Sequence, residues 1–209
     1  MKISPRDGIL LLAMGGPETA EEVEPFLRRM FSDPHLLLLP TRLLSWLAPW
    51  LARRRAPESG RRYRAIGGGS PLPGHTRRLA EAVGRRWRDL GGGAVGFAFR
   101  YGKPDTGEAL RQLVKEGAGR VVALPLYPQY CRATVGSHRE ELKRALQAWD
   151  DDSWVIPVQY WYQEPGFIQG WAGRLERALA EIPGEERDRT LVIFSAHGIP
   201  LRLVRSGDP

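Results

Sequence analysis

The strongest constraint on the fold of this chain is the alternation of short apolar runs with amphipathic segments. Each run has the length of a strand buried on both faces, and the segments between the runs space their apolar residues as helices do. This alternation predicts a doubly wound α/β fold, in which helices flank a parallel sheet. The predicted strands are 8–14, 94–100, 120–127, 154–160 and 190–196, and the predicted helices are 18–31, 75–90, 105–117, 136–149 and 165–182.

Polar and aromatic residues follow each predicted strand. Ligands of open parallel sheets bind beyond the carboxyl ends of the strands, and all of these ends meet at one edge. We therefore expect one functional site at this edge. The segments that would converge there are "MGGPE", "FRYGKP", "LYPQYCRAT", "QYWYQEP" and "SAHGIP".

The chain is basic because of its arginines. Its 209 residues carry a formal net charge of +7, and only four of the 31 basic residues are lysine, which leaves 27 arginines. Arginine makes two-pronged contacts to carboxylate or phosphate, so either an anionic partner or simply arginine-rich solvated faces would explain the charge. The single cysteine, Cys131, excludes an internal disulfide and a multi-cysteine metal site within this sequence.

Neither a signal peptide nor a membrane span is expected. "MKISPRD" leads directly into the first predicted strand, and no apolar run reaches the roughly 18 residues of a span. The localisation predicted from this is cytoplasmic, with peripheral contact at the inner face of the membrane as the other option.

Residues 35–55, which we call the lip, depart from the α/β pattern. The segment "HLLLLPTRLLSWLAPWLARRR" is very apolar, contains Pro40 and Pro49, and ends in three arginines. It could form a pair of core helices. Alternatively it is an exposed apolar rim, with Trp46 and Trp50 against a greasy ligand or a membrane surface. We expect the two prolines to prevent one long helix.

The histidine at the end of the last predicted strand is the candidate for chemistry. His197 follows "TLVIFSA" and precedes Gly198, so the sheet would deliver it to the cleft, where an imidazole can accept a proton or ligate a metal. A structural role is the alternative for a lone histidine. His75 and His138 fall in polar helical segments and are not expected to be catalytic, and His35 is expected to be exposed.

Two glycine-rich segments invite a phosphate-binding interpretation that their context does not support. "YRAIGGGSPL" follows an arginine-rich helical stretch instead of a strand and has no lysine nearby. "MGGPET" lacks the third glycine and the acidic partner of a dinucleotide site. We therefore predict no nucleotide cofactor. A nucleic-acid partner is not predicted either.

Six motifs in order resemble the amino-terminal part of ferrochelatases, which insert ferrous iron into a porphyrin to form haem. The resemblance extends from about Ile9 to Pro209, and its order makes chance agreement very improbable. The motifs are "LLAMGGPET", "VEPFLRRMFSDP", "RRRAPESGRRYRAIGGGSPL", "FAFRYGKP", "LPLYPQYCRATVGS" and "FSAHGIPLRLVRSGDP".

The resemblance implies a role for each matching residue. His197 would take the pyrrole protons or bind the incoming metal, and Met14 would lie over the opposite face of the macrocycle. A methionine at this position is typical of members that act on protoporphyrin, whereas tyrosine is typical of those that act on coproporphyrin. The other implied substrate contacts are Arg54, Arg55 and Ser70 at the propionates, Arg100, Tyr101 and Tyr127 on the inner wall of the metal side, and Trp161 as an aromatic wall.

Physical chemistry favours the same assignment. A porphyrin is a flat apolar disc with acidic arms, so it requires an apolar slot with cations at its rim. Two N–H protons must leave as the metal enters, which requires a neutral base within reach. The expected partners are therefore protoporphyrin IX and ferrous iron, both as substrates, and no resident cofactor or iron–sulfur cluster is expected.

A complete ferrochelatase continues into a second α/β half, which supplies a carboxylate opposite the histidine, and this sequence has no counterpart of that half. We therefore expect residues 1–209 to be an amino-terminal α/β domain that bears the lip and belongs to a longer or split protein. The alternatives are a chelatase for coproporphyrin III or sirohydrochlorin, and a non-catalytic porphyrin-binding fragment. The oligomeric state is not determined by the sequence.

Overall fold

Four of the five predicted strands form one all-parallel sheet in the computed structural model, which describes residues 2–149 and 152–209. The strand order is β2-β1-β3-β4, so the winding reverses at β1, which pairs with β2 from Ile9 and with β3 from Asp7. This arrangement confirms the predicted doubly wound α/β class. The strands are β1 Asp7–Ala13, β2 Val95–Phe99, β3 Arg120–Pro125 and β4 Val155–Pro157.

The prediction of a fifth strand at 190–196 is wrong. This segment has no regular secondary structure, and its apolar side chains are exposed, with Phe194 83% accessible. The chain divides into two compact units, unit 1 (Met1–Gln159) and unit 2 (Tyr160–Pro209), and 190–196 lies in the second. The regular elements of unit 2 are all helices. An apolar run forms a strand only where a neighbouring strand satisfies its backbone groups, and unit 2 provides none.

The helices are α1 Val23–Phe31, α2 Pro34–Leu37, α3 Thr41–Ala65, α4 Leu72–Asp89, α5 Thr106–Lys115, α6 Ser137–Leu146, α7 Pro165–Ala180, α8 Gly184–Arg187 and α9 Leu201–Arg205. Helices α1, α4, α5, α6 and α7 match the five predicted amphipathic segments, with boundaries that differ by a few residues, whereas α2, α3, α8 and α9 are not among the predicted helices. A π-helical turn, Arg132–Gly136, precedes α6.

Local sequence explains where α5 begins. The carboxylate of Asp105 accepts a hydrogen bond from the backbone N–H of Glu108 at 2.9 Å, and the carboxylate of Glu108 accepts one from the backbone N–H of Asp105 at 2.9 Å. This reciprocal pair is a capping box, which satisfies two N–H groups that the first turn would otherwise leave unbonded. It fixes the connection between the end of β2 and α5.

The lip does not break at Pro49, contrary to the expectation from sequence. Helix α3 continues through Pro49 to Ala65, because Leu44, Ala48 and Ala52 recur every four residues and are fully buried on the face that packs against α1. Pro49 leaves the carbonyl of Ser45 without its helical partner, but Ser45 is exposed and water can replace the missing bond.

Two apolar clusters hold unit 1 together. One lies between the sheet and helices α5 and α6, around Leu10, Leu110 and Val121. The second lies between α1, α3 and the end of β2, and it contains Val23, Phe26, Leu27, Ala52 and Tyr101.

The boundary of the predicted 1–209 domain stays a prediction. Within the described ranges, no helix combines the length and apolar character needed to cross a bilayer.

Candidate functional site

The carboxyl ends of β1, β2 and β3 bring four of the predicted site residues together in unit 1. The backbone N–H of Arg100 donates to Ala13 O at 2.9 Å, and that of Tyr101 donates to Met14 O at 3.1 Å. The backbone of Met14 also hydrogen-bonds to Tyr127, which follows β3. Met14, Arg100, Tyr101 and Tyr127 are therefore neighbours at one edge of the sheet, as the strand pattern predicted.

Arg100 and Tyr101 are directed into the protein, where a buried carboxylate holds both. Tyr101 is 3% exposed, and its hydroxyl donates to Oδ2 of Asp33 at 2.8 Å. The guanidinium of Arg100 lies 3.0 Å from the same oxygen. Burial raises the pKa of Tyr101 strongly, and the negative charge of Asp33 raises it further. Both residues therefore belong to a rigid polar cluster beneath the edge of the sheet.

Tyr127 packs against His138, a histidine that the sequence does not predict to be catalytic. The ring centroids of Tyr127 and His138 are 5.7 Å apart. His138 lies in α6 as predicted, but on its buried face, and it is 2% exposed. Neither ring nitrogen has a hydrogen-bond partner among the described residues. Burial, followed by the positive charge of Arg100, lowers the pKa of His138 to about 3, so its imidazole is neutral at physiological pH.

Ser70 ends the triple-glycine loop and contacts the loop that follows β1. Its backbone N–H donates to Pro17 O at 2.7 Å. A side chain added at Gly16 would collide with Ser70, and one added at Gly69 would overlap the backbone oxygen of Glu18. The glycines therefore allow two backbones to approach closely, and this contact places Ser70 beside the segment after β1.

The outer face of α3 carries the remaining predicted residues of unit 1. Arg54 and Arg55 are exposed, and the guanidinium of Arg54 lies 5.4 Å from the ring centre of Trp50. Trp46 and Trp50 are 87% and 54% exposed. One face of this helix therefore belongs to the core and the other presents tryptophans and arginines to solvent, while contact of the lip with a ligand or a membrane stays a prediction.

The last two predicted residues lie in unit 2. Trp161 is partly buried and stacks edge-on against Phe167, with ring centroids 5.0 Å apart. His197 is exposed in the segment without secondary structure. Contrary to the expectation from sequence, it therefore does not lie at the end of a strand, because 190–196 has no neighbouring strand in unit 2 with which to pair.

Sequence analysis missed Asp33 and Ser137. Asp33 lies between α1 and α2, where its Oδ1 accepts a hydrogen bond from the backbone N–H of His35 at 2.8 Å. The only local signal in "SDP" is that of a helix cap, which does not indicate the distant partners of this carboxylate. Ser137 opens α6, and its hydroxyl donates to Asp33.

His35 is half-buried, not exposed as expected. In the part of the chain that the structure describes, no group of three or more His, Cys, Asp or Glu side chains is arranged to hold a metal ion.

Comparison with known proteins gives one consistent result. The family model described as "Ferrochelatase" matches residues 6–209. The chain is 38% identical over 203 residues to the ferrochelatase of Desulfotalea psychrophila, an alignment that covers 97% of this chain and 62% of the relative. The ferrochelatase of Geotalea daltonii is 39% identical over 208 residues, covering 99% and 64%.

A eukaryotic relative is nearly as similar. The mitochondrial ferrochelatase of Bos taurus is 36% identical over 217 residues, covering 98% of this chain and 50% of the relative. The chain thus spans about half to two thirds of the length of the curated relatives that it matches.

Proposed function

The chain belongs to the ferrochelatase family, and we propose from this that the protein carrying it inserts ferrous iron into a porphyrin to form haem. The family match over residues 6–209 is the observation that carries the proposal. The position of Met14, Arg100, Tyr101 and Tyr127 at the carboxyl edge of a doubly wound sheet supports it, because this edge is where such sheets bind ligands.

In this proposal, unit 1 supplies one wall of the porphyrin site. The half-buried Met14 packs beside the apolar cluster of α1 and α3, so its thioether offers an adaptable apolar surface to a flat ring. Arg54 and Arg55 bind the propionates from the exposed face of α3, with Ser70 as a neutral donor. Arg100 and Tyr101 act as a rigid support, because Asp33 already binds their polar atoms.

His197 is the proposed proton acceptor, or metal-side ligand, of unit 2. Insertion of ferrous iron replaces two pyrrole N–H protons, and both must reach solvent. A histidine whose imidazole is accessible, as His197 is, can accept a proton and release it to water. Trp161 would form an aromatic wall for the porphyrin.

The proposed substrate is protoporphyrin IX. A diacid porphyrin is mostly apolar, which suits a methionine at position 14 and the exposed tryptophans of the lip. The same lip would bind the inner face of a membrane, since Trp46 and Trp50 can enter the acyl boundary while Arg53, Arg54 and Arg55 contact lipid phosphates. This attachment would keep the protein peripheral, at the surface from which a poorly soluble substrate is exchanged.

Replacement of the proposed base tests the function. In the protein carrying this chain, His197→Ala is expected to abolish metal insertion while porphyrin binding persists, because the base is lost and the walls remain. Insertion is measured anaerobically as the loss of porphyrin fluorescence with ferrous iron, for protoporphyrin IX and for coproporphyrin III. The control is His75→Ala, an exposed histidine on α4.

Three results would contradict parts of the proposal. Near-normal turnover of His197→Ala would remove this residue from the mechanism. A clear preference for coproporphyrin III would contradict the proposed substrate. Porphyrin binding without insertion by the wild-type protein would indicate a binding module instead of a chelatase.

A further inference from the structure

One buried carboxylate connects three separate elements beneath the proposed porphyrin wall. Asp33, 2% exposed at the junction of α1 and α2, receives the hydroxyl hydrogen bonds of Tyr101 and Ser137 on its Oδ2. These partners are 68 and 104 residues away in sequence, at the end of β2 and the start of α6. Asp33 therefore fixes the end of β2 relative to the junction of α1 and α2 and to the start of α6.

All three guanidinium nitrogens of Arg100 have a partner in or beside the same cluster. Its Nε donates to Ser137 Oγ at 2.7 Å, one terminal nitrogen lies 3.0 Å from Oδ2 of Asp33, and the other lies 3.5 Å from Glu141. Its side chain is 12% exposed. Because its N–H groups are directed to partners inside the protein, Arg100 is not available as a mobile group that binds the substrate. Its function here is to hold the adjacent backbone in place.

The cluster requires an anion at position 33. Both oxygens of Asp33 accept, Oδ1 from the backbone N–H of His35 and Oδ2 from the two hydroxyls and the guanidinium of Arg100. An amide has only one accepting oxygen, so its NH2 group would face one of these donors, and Arg100 can only donate. Burial raises the pKa of Asp33, but the hydrogen bond from Ser137 and the charge of Arg100 outweigh it, and the net pKa is lowered. The carboxylate is thus ionised where the guanidinium needs it.

We infer that Asp33 is a positioning residue for metal insertion: through Arg100 and Tyr101 it fixes the wall residues at the carboxyl ends of β1 and β2. The inference rests on the proposed function. The physical link is the backbone, since the N–H groups of Arg100 and Tyr101 donate to the carbonyls of Ala13 and Met14. Displacement of Arg100 and Tyr101 would therefore displace Met14, which lies against the ring in the proposed function.

The test is Asp33→Asn, which retains the shape and the oxygen that caps α2 but removes the charge. Displacement of catalytic geometry by about 1 Å costs on the order of a hundredfold in rate. We therefore expect kcat for metal insertion to fall by about tenfold to a hundredfold. The Kd for protoporphyrin IX should stay within about threefold, since the apolar walls remain.

A second buried carboxylate, paired with a half-buried arginine, provides the matched control. Asp7 and Arg120 form a two-pronged ion pair, with both contacts at 2.8 Å, at the amino edge of the same sheet. Asp7→Asn makes the same chemical change far from the carboxyl ends, so it should leave kcat unchanged. Each variant is assayed below its own melting temperature, with near-UV circular dichroism to confirm that it is folded.

Two further variants test the route of the effect. Ser137→Ala removes the hydroxyl that links Nε of Arg100 to Asp33, so kcat should fall in the same direction but less, and this variant serves if Asp33→Asn does not fold. Because Asp33 is inferred to act partly through Arg100, the losses of kcat in Asp33→Asn and Arg100→Lys should not multiply, and the double variant should lose less than the product of the two single losses.

The inference is overturned if folded Asp33→Asn, or Ser137→Ala in its place, turns over within threefold of wild type. Equal losses in Asp7→Asn would also overturn it, because they would reveal a general effect of stability. Effects of Asp33→Asn and Arg100→Lys that multiply would exclude action through Arg100. Absence of insertion by the wild-type protein would instead overturn the proposed function, and the positioning role with it.

Discussion

His138 should make the stability of this protein sensitive to mild acid. Its imidazole is buried, has no hydrogen-bond partner among the described residues and has a pKa of about 3. An unfolded histidine has a pKa near 6.5. Between these two values the unfolded state binds a proton that the folded state excludes. The free energy of unfolding therefore falls as the pH drops below about 6.5, and this contribution is constant above it.

The size of the effect follows from the two pKa values. At pH 5 the unfolded state gains RT ln(1 + 10^1.5), or about 2 kcal/mol, from protonation of this one side chain. Titration of Asp33 does not contribute to the difference in unfolding free energy between pH 8 and pH 5. Its folded pKa is lowered, so its stabilising contribution is complete above about pH 4 and is lost only as the pH falls further, through the folded value.

Urea unfolding at pH 8 and pH 5, followed by near-UV circular dichroism, measures this contribution. In His138→Leu the loss of unfolding free energy between the two pH values should be about 2 kcal/mol smaller than in wild type. The control His75→Leu changes an exposed histidine and should retain the wild-type pH dependence. An identical pH dependence in wild type and His138→Leu would refute the reasoning, because it would mean that the buried imidazole accepts a proton without unfolding.

Two other expectations can be checked with single preparations. Gly69→Ala should lower the free energy of unfolding by about 2 kcal/mol or more in urea titrations, because its Cβ would overlap the backbone oxygen of Glu18. A loss below about 0.5 kcal/mol, the size of a surface effect, would contradict this. The lip should bind anionic vesicles in a salt-sensitive manner in co-sedimentation, and Trp46→Ser/Trp50→Ser should abolish this binding. Trp171→Ser, which changes another exposed indole in unit 2, should not. Absence of binding by the wild-type protein at low salt would leave the lip as a pocket rim only.

Local sequence determined the elements of this protein where the signal is itself local. Hydrophobic runs predicted β1 to β4, and helical spacing predicted the amphipathic helices, because burial of an apolar stripe depends on residues two to four positions apart. Asp105 and Glu108 show the capping box directly, three residues apart. The order of strand ends was enough to predict that Met14, Arg100, Tyr101 and Tyr127 would meet, since the carboxyl ends of parallel strands share an edge.

Only the tertiary structure decided the features that depend on distant partners. The run 190–196 has the pattern of a strand but no neighbour in unit 2, and a strand requires one. Helix α3 passes Pro49 because packing on α1 compensates for the lost hydrogen bond. The binding of Tyr101 and Ser137 by Asp33 joins residues 68 and 104 positions apart, and the buried face of α6 encloses His138. Sequence fixes which residues are available for such contacts, whereas the fold alone selects the residues that meet.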